Sequence, residues 1–374
     1  MIDLLLATLV TTFPIEHLHD ARALRASGVV RDLASLGGDD FIIASGPPDE
    51  WDGRELMRVH GEQVTPLLAL PPTRPGVCRG SRLVTAAEGR WWFFRCNDEK
   101  VEFVTSSAPS RVSEVSVPER TFGVAPLAGD QPAVVVVAPA SPPEQLMKAE
   151  LVTASGRRPL GEFERSGHIA YFPTTWQAHR IDEKTIAVVS LEQGDRDAND
   201  IVLRVFREEG EMTESRLPFL RNRYVAVASA YGEHGMAVVA STPTGGGLVS
   251  MVFDPNTNEP RTAKPIDIKG SDAQRLAHSG SQIVPLGERF AVAWINMNDR
   301  GVRMSEFDRT MALPAARVAD DTDEQGEGPM LRQEEEGVSV FWSHGAPMQR
   351  TLPAEAAGYL FATELWKRLG VRRP

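Results

Sequence analysis

The sequence predicts an all-β fold of seven repeated four-stranded units with a short C-terminal helix, and three observations predict it. First, one hairpin pattern occurs seven times: a semi-apolar run, a short turn rich in Gly or acid, and a dense β-branched or aromatic run. Second, the dense runs begin at Phe41, Trp91, Ala133, Thr185, Met236, Phe290 and Val338, at intervals of 50, 42, 52, 51, 54 and 48 residues. Third, further strand-like segments follow the hairpins, so that a unit of about 50 residues holds four strands.

Such a unit is apolar on both faces and cannot be stable alone. Stacking seven of them around an axis buries every face. The reading is therefore a seven-bladed β-propeller of four-stranded antiparallel blades over residues 30–353. It is preferred to a β-sandwich or to two all-β domains, which lack so long an internal period.

The first 29 residues precede the first hairpin. Ile2 to Val10 is apolar but broken by Asp3, and no basic residue precedes it, so a targeting segment is disfavoured against a strand or buried tail. The segment Ile2 to Thr12 is expected to supply the outer strand of the seventh unit and close the ring. The compartment stays open: extracytoplasmic if Met1 replaces a removed signal peptide, cytoplasmic otherwise. His17 and His19, beside Asp20, have the H-x-H spacing of a zinc pair, but no further ligand can be assigned.

Within each hairpin the turn carries Gly, Asp or Glu, as short loops require. The second strand is rich in Val, Ile, Phe and Trp, which suits burial on both faces. Third strands are read at Val202 to Phe206, Leu248 to Phe253 and Val302 to Phe307. Fourth strands are read at Arg261 to Ile266, Ala315 to Val318 and Arg111 to Val115. The seventh unit has a hairpin at Met330 to Trp342 and a third strand at Pro347 to Leu352. Residues 354–374 then read as an amphipathic helix and basic tail, with Phe361, Leu365 and Trp366 on one apolar face.

The repeats of units six and seven, GERFAVAW (Gly287 to Trp294), EGVSVFW (Glu336 to Trp342) and the Glu306 to Asp308 ending, resemble those of bacterial seven-bladed β-propellers of the secreted or cell-surface type. The resemblance implies the fold and no activity.

Charge bounds the partners. The formal net charge is -11 and the pI about 5.3, and a nucleic-acid partner calls for a basic surface instead. Acidity also favours solubility. No run approaches the length of a membrane-spanning helix.

The candidate sites are few. Asp195, Asp197, Asn199 and Asp200 form D-x-D-x-N-D in a loop of unit four, which is read either as a calcium site or as a solvated acidic loop. A less regular acidic group runs from Asp320 to Glu327. Cys78 and Cys96 flank the hairpin of unit two, with Cys96 expected opposite about Ser81. They form either a disulfide, which would favour an oxidising compartment, or two buried thiols. Tyr171 and Trp176 lie in an aromatic segment read as a loop, a candidate face for a glycan or protein partner. Phe361, Leu365 and Trp366 are candidate partner contacts on the C-terminal helix, if that helix does not pack on the propeller. No catalytic residue and no cofactor is assigned. The expected function is non-enzymatic binding of a protein or glycan partner. The alternatives are a glycan-acting enzyme with its site in the central funnel and a structural subunit of a larger bacterial assembly.

Overall fold

In the computed structural model, the described residues are 22–353 except for 24–28, 38–39, 48–52, 62, 74–80, 119–120, 122, 130, 141–145, 165–175, 194–198, 209, 218–225, 242–246, 258, 261–264, 270, 272–273, 276–281, 297, 320–328, 335–336 and 344–346. Their strands form seven antiparallel sheets. Strand β1 (Arg22–Ala23) stands apart from its chain neighbours. Sheet one is β2 (Val29–Gly37), β3 (Asp40–Gly46), β4 (Glu55–His60) and β5 (Gln63–Ala69). Sheet two is β6 (Ser81–Thr85), β7 (Trp91–Asn97), β8 (Lys100–Thr105) and β9 (Ala108–Ser116). Sheet three is β10 (Gly123–Pro126), β11 (Ala133–Pro139), β12 (Leu146–Thr153) and β13 (Gly156–Glu164). Sheet four is β14 (Trp176–Arg180), β15 (Thr185–Gln193), β16 (Asn199–Arg207) and β17 (Met212–Leu217).

Sheet five is β18 (Ala226–Gly232), β19 (Gly235–Ser241) and β20 (Leu248–Asp254), with an outer position divided between β21 (Glu259–Pro260) and β22 (Ile266–Ile268). In sheet six the inner position is divided instead, between β23 (Gln274–Arg275) and β24 (Ile283–Leu286), both on β25 (Arg289–Asn296). Its outer strands are β26 (Val302–Phe307) and β27 (Ala316–Ala319). Sheet seven is β28 (Met330–Glu334), β29 (Gly337–Ser343) and β30 (Pro347–Pro353). Its fourth strand is β1, antiparallel to β30 with Arg22 opposite Gln349. The chain's beginning thus completes the sheet made by its end. Residues 2–12, expected in that place, lie outside the described residues.

The second strand of each sheet is its core. Ala133–Ala138 on β11, Trp91–Cys96 on β7 and Gly235–Ser241 on β19 are buried on both faces. Alternate side chains from these strands go to opposite neighbours. Seven apolar clusters result, each shared by two sheets. Six join sheets consecutive in the chain. The seventh joins sheet seven to sheet one through Met330 and Phe341 against Val30 and Phe41, where the Phe41 and Phe341 rings meet edge-on at 5.5 Å. Every sheet therefore has both faces covered by neighbours, and the circle closes. This is a β-propeller of four-stranded antiparallel blades.

Outer strands are more exposed than the second strands, and β9 and β13 contain no run of buried residues. Among the described residues, the only helical element is a 3-10 turn at Ala87–Gly89, in the hairpin between β6 and β7. The expected helix over residues 354–374, with Phe361, Leu365 and Trp366, falls outside the described residues.

Candidate functional site

The inner strands line the axis of the ring, and their side chains are where the sequence departs from an apolar pattern. β14 reads Trp-Gln-Ala-His-Arg. Gln177 and His179 reach the next blade. Gln177 Nε2 donates to the Val227 carbonyl at 2.9 Å, and Gln177 Oε1 accepts from the Ser229 backbone N–H at 2.6 Å. Ser229 Oγ donates to the same Oε1 at 2.7 Å. His179 Nε2 lies 2.7 Å from Ser229 Oγ. Because the hydroxyl hydrogen is already directed to Gln177, the imidazole must donate through Nε2. Burial, and secondarily the positive charge of Arg82, lower the His179 pKa to about 4. The ring is therefore neutral near pH 7.

A second polar junction sits where blade one meets blades two and seven. Asp32 is buried, next to a bulge in β2. Its Oδ2 accepts from the Leu83 N–H of β6 at 2.7 Å, and its Oδ1 accepts from Leu33 N–H at 2.8 Å. Arg332 on β28 lies 3.3 Å from Oδ1 and also donates to the Leu33 carbonyl. One carboxylate thus ties three inner strands.

Two blades hide charge between their strands. In blade two, Arg95 on β7 bonds Glu102 on β8 at 2.5 Å and the Pro71 carbonyl at 2.7 Å, while Asn97 donates to the other Glu102 oxygen at 2.6 Å. In blade four, the guanidinium of Arg204 on β16 engages both oxygens of Glu192 on β15, and its Nε donates to Glu214 on β17 at 2.8 Å. Ser190 donates to Glu192 at 2.8 Å. The Arg204 guanidinium carbon rests 3.8 Å from the centre of the Phe163 ring in blade three. Burial pushes the Glu192 pKa up, but hydrogen bonds and charge from Arg204, then Ser190 and Arg216, outweigh it. Glu192 is held below the usual carboxylate range and stays ionised.

The expected site residues are distributed differently. Trp176, expected in a loop, is instead the first residue of β14, 2% exposed, in the core between blades three and four. Its ring lies so close to Gly123 that a Cβ there would fall 2.7 Å from the indole. The short inner strand begins at the tryptophan, and stacking against blade three covers it. Tyr171 lies outside the described residues. So do Asp195 and Asp197 of the acidic motif. Asn199 opens β16, and Asp200 stands opposite Glu192 with Arg216 3.9 Å away. Among the described residues no group of three or more His, Cys, Asp or Glu is placed to hold a metal ion. Cys96 is disulfide-bonded; Cys78, the chain's other cysteine, lies outside the described residues. The register sets Arg95, not Cys96, opposite Ser81, and Cys96 points with Trp92 and Phe94 toward blade three.

Gln177, His179, Ser229 and Asp32 were not singled out from the sequence, although the repeat carries the signal. Gln177 and Val227 are 50 residues apart, as are His179 and Ser229, and Asp32 and Leu83 are 51 apart. Residues one period apart on neighbouring inner strands are the ones that meet.

The class of protein is set by this geometry, a β-propeller with polar junctions along its axis. No family model and no curated protein sequence matches the chain. Solved structures do. It is similar to the WD40 β-propeller domain of Doa1, with TM-score 0.53 and 10% identity, covering 90% of this chain and 96% of that one. It is similar to oligogalacturonate lyase from Vibrio parahaemolyticus, with TM-score 0.53 and 12% identity, covering 90% and 92%. It is also similar to an oligogalacturonate lyase in complex with manganese, with TM-score 0.52 and 14% identity, covering 89% and 91%. At such identity the likeness is one of fold alone. No helix among the described residues is long and apolar enough to cross a membrane.

Proposed function

We propose that this chain is a non-enzymatic binding module, a stiff seven-bladed ring that presents its connecting loops to a protein or glycan partner. The seven sheets are read as the seven blades, with residues 1–29 closing the ring and residues 354–374 available as an additional docking segment. The observation that supports this reading is how the buried charge is used. Glu192 is neutralised by Arg204, Glu102 by Arg95, and His179 is kept neutral and bonded across a blade boundary. These groups hold strands in register, which is the work of a scaffold. Loops on such a frame can vary without disturbing it.

The fold itself is neutral on activity. Its solved neighbours include a WD40 domain and lyases of oligogalacturonate, so the choice rests on this chain's own residues. The test is affinity capture from the native organism's extract, with the intact chain and with residues 354–374 removed. A stoichiometric partner retained by both supports binding through the propeller loops. A partner lost on truncation assigns the docking to the tail. No partner with either, together with turnover of a glycan, would overturn the reading in favour of an enzyme acting in the funnel.

A further inference from the structure

We propose that Cys78 and Cys96 form a redox-sensitive clamp, which ties the connection between blades one and two into the packing of blades two and three, and that the folded ring shields it from reduction. The inference is independent of the partner proposed above.

The chain has two cysteines, and Cys96 is disulfide-bonded. Cys96 is 1% exposed, among Trp92, Phe94, Val124 and Val134 in the core between blades two and three. A sulfur so placed cannot reach a second molecule while the ring is closed, so its mate comes from the same chain and is Cys78. Ser81, three residues after Cys78, stands opposite Arg95, so the bond requires no long excursion of the chain.

Cys78 belongs to the connection of residues 70–80, between β5 and β6. Arg95, the neighbour of Cys96 on β7, holds the same connection near its start: Nη1 donates to the Pro71 carbonyl at 2.7 Å. Consecutive strand residues point to opposite faces of a sheet. One strand therefore grips the connection from both of its faces, by a hydrogen bond from Arg95 and covalently through Cys96. The first hold is fixed by Glu102, which accepts from Arg95 Nε at 2.5 Å, and does not depend on redox state. The second does.

A dithiol opens the clamp by thiol–disulfide exchange. Its thiolate attacks one sulfur, its second thiol releases the protein, and two electrons and two protons pass to give two cysteine thiols and an oxidised dithiol. Attack at the Cys96 sulfur is barred by burial. Attack at the Cys78 sulfur expels the Cys96 thiolate into an apolar core, where a charge is costly. Exchange therefore waits until blades two and three part. Once reduced, Cys96 packs as a small apolar side chain, so the ring keeps its core and loses only the covalent tie.

The test is thiol alkylation read by mass spectrometry on the full chain, with dithiothreitol as the reductant, in native buffer and in denaturant. The expected result is a Cys78–Cys96 cross-link that persists in native buffer and is lost in denaturant, with reduction about a hundredfold or more slower in the folded chain. The parent chain refolded in dithiothreitol should melt about 5 °C below the oxidised chain. Cys78→Ser should melt with the reduced parent and show no response to dithiothreitol. The proposal is overturned if the chain refolded in an oxidising glutathione buffer carries two free thiols, if reduction is as fast in native buffer as in denaturant, or if reduced and oxidised chains melt alike. All three readings use the parent chain, so they decide the matter even where Cys78→Ser fails to fold.

Discussion

Blades three and four occupy adjacent places in one ring and fill them with different chemistry. The second strand of blade three is a run of valines between alanines, and β12 and β13 cover it with Met147, Leu151 and Phe163. Blade four uses the same strand order and then buries Glu192 and Arg204, 0% exposed each, between β15 and β16. Propeller geometry therefore tolerates either solution. The apolar one is insensitive to pH and rests on fit. The polar one rests on every partner being present, since a buried charge left alone is costly.

That difference can be broken from either side. The largest effect is expected in blade four. Glu192→Ala leaves Arg204 buried with only part of its partnership, and unfolding in denaturant should show a loss of about 4 kcal/mol. A loss below about 1 kcal/mol would mean that water or a neighbour replaces the carboxylate.

Next comes the polar junction between blades four and five. The unfolded chain protonates His179 near the ordinary histidine value of 6.5, whereas the folded ring does so near 4. Above the unfolded value neither state carries the proton and the contribution is complete. Between the two values the unfolded state takes up a proton that the folded state refuses, and stability falls by about 3 kcal/mol. Below the folded value this group adds no further loss. Stability measured from pH 7 to pH 4 should fall less steeply in His179→Gln than in the parent chain.

The apolar blade should respond to size instead. Gly123→Ala drives a methyl group into the Trp176 indole, and overpacking of this kind costs about 1–3 kcal/mol, with no dependence on pH between 5 and 8. The smallest effect belongs to the surface. Lys100 and Glu114 pair at 2.5 Å across exposed strands, and Lys100→Ala should leave the melting temperature within error, because solvent screens the pair.

The same contrast explains what was legible in the sequence. Second strands stand out because burial on both faces demands a continuous apolar run. The runs read from Trp91, Ala133 and Thr185 begin where β7, β11 and β15 begin. Third strands ending in Phe206, Phe253 and Phe307 were legible for the same reason. Inner strands were legible as the semi-apolar half of each hairpin, as at β24 and β28, but where β14 begins and what its polar positions bond to were not. β14 is five residues long, and its polar positions are stabilised by a neighbouring blade rather than by local pattern. Trp176 consequently read as a loop aromatic, when the close approach of Gly123 buries it. Closure of the last sheet by the N-terminal segment was expected from the missing outer strand of unit seven; that the two-residue β1 pairs there was not, since so short a strand has no periodicity to detect.

The central claim is that a rigid ring serves to present loops. Hydrogen exchange on the full chain, with and without its captured partner, tests it most directly. The account predicts that inner-strand amides of β6, β14 and β18 exchange together and only on global opening, and that the partner protects connecting loops at one pole while leaving them unchanged. A partner footprint centred on Arg82, His179 and Ser229, with the loops unprotected, would contradict it and place the function in the channel.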